Sequence, residues 1–120
     1  MRLIHWHDIP AATGLLTRVP VQVNTDLAMK RGPQTAWAYP IVGLLIALAL
    51  TILGSLTLWA GITPQIVAGL MLATSVILTG AMHEDGLADS ADGLWGGWTT
   101  ARRLEIMKDS HIGVYGVCAV

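Results

Sequence analysis

Two charge-free runs, separated by a short turn, limit what this chain can fold into more than any other feature. Residues Ile41 to Ala60 hold no Asp, Glu, Lys or Arg, and neither do Gln65 to Met82. A helix needs about 20 mainly apolar residues to cross the hydrocarbon core of a bilayer. The two runs therefore predict transmembrane helices over about 41–60 and 65–82. Trp37, Tyr39 and Trp59 flank the first, as interfacial aromatic residues do. Gly43, Ala47, Gly54 and Ser55 in one run, and Gly69, Ala73 and Gly80 in the other, offer small surfaces for close helix packing. Gly61-Ile62-Thr63-Pro64 is the turn, and Pro64 suits the first helical position. A buried hairpin of a soluble domain is the competing reading. Two adjacent runs of this length exceed what a core of 120 residues can cover. Only 12% of the residues are charged, against about 25% in soluble domains.

All seven Lys and Arg lie before the first run or after the second. Basic residues mark the cytoplasmic side, so both flanks are expected in the cytoplasm, at the cell inner (cytoplasmic) membrane. The amino terminus does not read as a secretory signal, because Arg2 is followed by His5, His7 and Asp8, not by an apolar core. Residues 1–17, with Leu3, Ile4, Trp6, Ile9, Leu15 and Leu16 apolar and Pro10 interrupting them, predict a helix lying at the interface or packed on its neighbours. His5 and His7 alone make a poor metal site. Arg18 to Gln34 reads as a polar connector with the turn pair Gly32-Pro33. Its cations Arg18, Lys30 and Arg31 are either solvated or phosphate contacts. A net charge of −1 without a basic stripe gives no basis for nucleic-acid binding, and the one cysteine, Cys118, excludes an intrachain disulfide or a Cys-rich zinc site.

The chemistry concentrates in His83-Glu84-Asp85-Gly86-Leu87-Ala88-Asp89-Ser90-Ala91-Asp92-Gly93. It carries four of the eight carboxylates. On a helix, Asp85, Asp89 and Asp92 are spaced i, i+4, i+7 and share a face, with Glu84 toward its edge. Carboxylates so close disfavour one another's ionised form unless a cation lies among them. Hard oxygen ligands select Mg²⁺, Mn²⁺ or Ca²⁺ over zinc. Bound metal could bridge a diphosphate. Gly86, Gly93, Gly96 and Gly97 would let backbone approach phosphate, and Arg102, Arg103 and Lys108 would offset its charge. His83 is a candidate proton acceptor or a support for a carboxylate. Leu94 to Trp98 reads as a Gly-rich loop. Thr99 or Thr100 then caps a short helix, Ala101 to Asp109. Within it Glu105 and Asp109 are further ligands or simply pair with Arg102 and Lys108. His111 is either phosphate-facing or a plain loop residue. The bland reading of the whole segment is a solvated acidic helix beside the membrane.

The same stretch, followed by Arg103-Leu104-Glu105-Ile106-Met107-Lys108-Asp109-Ser110-His111-Ile112-Gly113, resembles the cobalamin synthase family, the adenosylcobinamide-GDP ribazoletransferases. Thr17-Arg18-Val19-Pro20-Val21 and Tyr39-Pro40-Ile41-Val42-Gly43 add to the resemblance. It implies an all-α, polytopic membrane enzyme of the last steps of cobalamin (vitamin B12) assembly. The enzyme joins adenosylcobinamide-GDP to α-ribazole or its 5′-phosphate and releases GMP, with Mg²⁺ as cofactor. Asp85, Asp89 and Asp92 would then be catalytic metal ligands, with Glu84 a further one. Arg103, Lys108 and Asp109 would be substrate or metal contacts, and Arg18, Arg102, Gly86 and Gly93 are, by their charge or small size, further candidates to meet substrate. His83 would serve catalysis.

Family members are about twice as long, so residues 1–120 are expected to be a single membrane domain from the front half of a longer chain. That domain would hold at least two spans, an amino-terminal interfacial helix, and a cytoplasmic acidic motif with its basic helix over 83–113. The expected partners are the two substrates and the lipid bilayer, with self-association left open. The competing classes are another Mg²⁺-dependent membrane transferase with a diphosphate donor (an alcohol phosphotransferase or prenyltransferase) and a divalent-cation transporter. The transporter calls for acids inside the spans, and Ile41 to Met82 contain none.

Overall fold

A computed structural model describes residues 4–120. The described residues are helical and contain no strand. Seven α-helices follow in order: α1 Asp8–Leu16, α2 Thr25–Arg31, α3 Tyr39–Trp59, α4 Pro64–Thr79, α5 Met82–Gly96, α6 Thr100–Ile106 and α7 Val114–Ala119. A 3₁₀ helix, Gly32–Ala38, leads from α2 into α3. The chain divides into two compact units, residues 1–80 and 81–120.

In the first unit, α3 is the apolar run realised as helix. Pro40 sits in its first turn, where a missing N–H costs nothing. Thr51 and Thr57 turn their hydroxyls onto the carbonyls of Ala47 and Leu53 at 2.8 Å each. No side-chain donor from these two is then left to face lipid. Leu44, Leu45, Leu48, Ile52 and Leu56 are all more than half exposed. An apolar face of that extent calls for lipid or protein to cover it. The continuous helical stretch from Thr25 to Trp59 is long and apolar enough to cross a membrane. Helix α4 returns along α3, and Met71 fills the space beside Gly54 that a side chain would otherwise occupy.

The second run differs from its predicted span. Helix α4 stops at Thr79, three residues early, because Gly80 (φ 67°) and Ala81 (φ 61°) are both left-handed. Gly80 ends the helix as such glycines commonly do. The Arg18 side chain packs against it, so a larger residue there would meet both strain and a clash. At 16 residues α4 spans about 24 Å, short of the ~30 Å hydrocarbon core. It has the length and hydropathy of a span only when counted together with α5, as a broken one.

The polar connector is also more ordered than its composition predicts. Asn24 caps α2 by accepting from the Leu27 N–H at 3.1 Å. Asp26 in the first turn and Lys30 and Arg31 in the last then complement the helix dipole. Arg31 is neither solvated nor a phosphate contact. It is 8% exposed and reaches Asp8, which is 1% exposed, through Nε at 2.6 Å and Nη2 at 2.8 Å. Trp37 Nε1 donates to the same carboxylate at 2.8 Å, and the His5 N–H at 3.2 Å. The Arg31 guanidinium, aided by these other donors, holds the Asp8 carboxyl down to about 2. Around this network α1 packs on α3 and the 3₁₀ helix through Ala12, Ala38 and Val42. Of the two readings of residues 1–17, packing on neighbours is the one realised over α1, while Leu3 lies outside the described residues.

Candidate functional site

The second unit holds the acidic motif, and α5 is its axis. The acids lie on a helix as their spacing predicts, but that helix runs on to Gly96, through most of the expected Gly-rich loop. Small residues explain why. Ala88, Ala91, Asp92 and Gly93 make a buried face on which α6 and α7 pack. Met107 occupies the space a Gly93 side chain would need, and Arg103 does the same at Gly97. Arg103 also donates from Nε to the Gly97 carbonyl at 2.8 Å, tying the turn between α5 and α6. Thr99 caps α6 by accepting from Arg102 N–H.

Asp85 and Asp89 open onto a cavity of about 350 Å³. Lys108, Asp109, Ser110 and His111, from the segment that links α6 to α7, line it as well. Asp109 Oδ1 accepts from the His111 backbone N–H at 3.1 Å and faces His111 Nδ1 at 2.6 Å. The imidazole therefore presents its other nitrogen outward. The Asp109 carboxylate raises the His111 pKa above its ordinary value, and the hydrogen bonds from His111 lower that of Asp109. His111 adds to the stability of this link below its ordinary pKa of 6.5, and that contribution is lost as pH rises through the raised value. Asp109 adds above 3.8, and its contribution is lost as pH falls through the lowered value. Both groups are exposed, so screening keeps the effect small. An NMR titration should show the His111 midpoint falling in Asp109→Asn; an unchanged midpoint would remove the pair.

The remaining predicted residues are dispersed. Asp92, expected to share the ligand face, is 7% exposed and points elsewhere. Its Oδ2 accepts from Gly113 N at 2.6 Å and its Oδ1 from Gly116 N at 2.9 Å. Glu84 is half-buried, with Oε2 buried and lacking a hydrogen-bond partner. His83 is exposed on the first turn of α5 and does not line the cavity. Arg102 pairs with Glu105 at 2.8 Å on the surface, so Glu105 takes the ion-pair option. Gly86 faces open space and remains accessible, whereas Gly93 is occupied by packing. Arg18, in the first unit, is exposed.

Sequence reasoning missed the backbone partners of Asp92, and the one trace of them was the i, i+3 pair Gly113 and Gly116. It also missed the bond between Asp109 and His111. Among the described residues, no group of three or more His, Cys, Asp or Glu stands close enough to hold a metal ion as placed. Mg²⁺ asks for less. It commonly takes one or two carboxylates and completes its shell with water and phosphate oxygens. Asp85 and Asp89, one turn apart on α5 and both bordering the cavity, fit that requirement.

The adenosylcobinamide-GDP ribazoletransferase of Bradyrhizobium diazoefficiens is 47% identical over 113 residues, which cover 94% of this chain and 44% of that protein. Proteins of the same name from Pseudoalteromonas atlantica and Azorhizobium caulinodans are 44% and 43% identical, over 91% and 94% of this chain and 40% and 44% of theirs. The chain thus spans less than half the length of these relatives. No solved structure matches it. Residues 8–120 match the family described as cobalamin-5-phosphate synthase, and the chain belongs to that family.

Proposed function

We propose that this chain carries the diphosphate-binding part of an adenosylcobinamide-GDP ribazoletransferase. The observation that carries the reading is the cavity lined by Asp85, Asp89 and Asp109 together with Lys108 and His111. Acids and cations on one cavity are what a metal-assisted diphosphate site requires. In the reaction, a ribose hydroxyl of α-ribazole, or of α-ribazole 5′-phosphate, gives up its proton and forms a bond to the phosphorus attached to cobinamide. The bond from that phosphorus to the bridging oxygen breaks, and GMP leaves with the electron pair.

Asp85 and Asp89 would hold Mg²⁺, which, when bound, supplies Lewis-acid stabilisation of phosphate charge. Lys108 donates to phosphate oxygens. His111, bound to Asp109 through Nδ1, adds a second donor through its other ring nitrogen when protonated. Arg103 sets the turn that brings Lys108 to the cavity. The distribution of Lys and Arg supports a multi-pass arrangement in the inner membrane with the acidic motif on the cytoplasmic side.

Calorimetric titration of the detergent-solubilised chain with adenosylcobinamide-GDP should show binding that depends on Mg²⁺. Subsequent addition of α-ribazole is the test for GMP release. Donor binding indifferent to Mg²⁺ would sink the reading. Binding of an alcohol-linked or prenyl diphosphate in its place would favour the other transferase classes.

A further inference from the structure

Asp92 lies on the helix that carries Asp85 and Asp89, but its carboxylate is turned to backbone. Both oxygens are engaged, one by Gly113 N and one by Gly116 N. Gly113 precedes the first residue of α7 and Gly116 lies in its first turn. These are N–H groups that a helix start leaves without an internal partner. One distant carboxylate thus does the work of a local capping residue. Gly113 and Gly116 fit the role, because a side chain at either would collide with the Asp92 carboxylate.

The next residue, Gly93, receives Met107. Two consecutive residues of α5 therefore hold the two ends of one segment, Met107 at its start and Gly113 at its end. Lys108, Asp109 and His111 lie between these anchors and line the cavity together with Asp85 and Asp89. We infer that Asp92 is a positioning residue, not a metal ligand, and that it fixes residues 108–112 at the cavity by capping α7 from α5. The functional half of this inference rests on the diphosphate site proposed above, whereas the cap itself does not.

The test uses the detergent-solubilised chain and Asp92→Asn, which keeps the shape. Asparagine offers one acceptor oxygen and sets an NH₂ group against the second N–H. Amide hydrogen exchange at Gly113 and Gly116 should speed up about tenfold or more, as loss of a charge-assisted bond implies. Exchange across 109–112 should rise with it. Gly113→Ala should reproduce the pattern by displacing the carboxylate. Unchanged protection at both amides in Asp92→Asn would overturn the cap.

Mn²⁺ binding, followed by electron paramagnetic resonance, separates positioning from ligation. Asp89→Asn should weaken it about tenfold, and Asp92→Asn should leave it within about threefold. Equal weakening in the two variants would make Asp92 a ligand and overturn the inference. A chain that binds no Mn²⁺ at all would count against the diphosphate reading, and the exchange rates would still decide the cap. Where transfer is measured, Asp92→Asn should raise the KM for adenosylcobinamide-GDP about tenfold with helicity unchanged. A purely structural loss would lower the amount of active protein and leave KM alone, against the inference.

Discussion

Asp8→Ala is expected to destabilise the first unit by about 3–5 kcal/mol, the usual consequence of removing the carboxylate from a buried ion pair. Arg31 would keep its charge at a position only 8% exposed, and the indole N–H of Trp37 would lose its acceptor. The loss is a large part of the 5–15 kcal/mol that holds a typical domain together. Chemical denaturation of the detergent-solubilised chain, read by circular dichroism, measures it; a change below about 1 kcal/mol would contradict the burial. The same pair sets an acid limit. The Asp8 carboxyl is depressed from 3.8 to about 2, so its contribution is complete above pH 3.8 and is lost as pH falls toward 2. Wild-type stability should decline over that interval. Asp8→Ala should lack this component of the decline.

Asp89→Asn is expected to reduce Mg²⁺-dependent GMP release by at least about 100-fold, the scale on which loss of one stabilising group in a charged transition state is felt. Asp89 borders the cavity one turn from Asp85 on α5. Membrane insertion should be unaffected, since asparagine keeps the size and shape of the side chain. The assay compares release rates over a range of Mg²⁺ concentration. Full activity at saturating Mg²⁺ would remove Asp89 from the metal site. A harmless substitution at both Asp85 and Asp89 would return the motif to a solvated acidic helix.

The elements that could be read from sequence were those with a local cause. Helix α3 follows from twenty residues without charge, and α5 from acids at helical spacing among Gly and Ala. Thr99 announces α6, and Asn24 would have announced α2 had its cap been weighed against the polar composition around it. The end of α4 was hidden because its break needs two successive left-handed residues. Gly80 suggests one, but nothing about an alanine at position 81 suggests the other.

The pairing of Asp8 with Arg31 joins residues 23 positions apart, so no local pattern marks it. The backbone partners of Asp92 escape the sequence for a related reason. Helical spacing places Asp85, Asp89 and Asp92 on one face, yet the structure turns two toward the cavity and one toward the start of α7. A carboxylate bound to backbone N–H groups leaves no complementary side chain in the sequence to betray it. What was legible at the site was its charge and position; which acids face the cavity and which meets backbone was not.

Met107 seated on Gly93 and Gly113 bound to Asp92 leave the intervening segment with no slack. Its end-to-end reach is dictated by adjacent positions on a rigid helix, not by its own sequence. Most surface connections accept insertions readily and at little entropic penalty. This one should behave in the opposite way. Lys108, Asp109, Ser110 and His111 can be exchanged for other side chains while the backbone keeps its path, whereas one added or removed residue must pull an anchor loose. Variation in this segment is therefore confined to substitution within a frame of constant length.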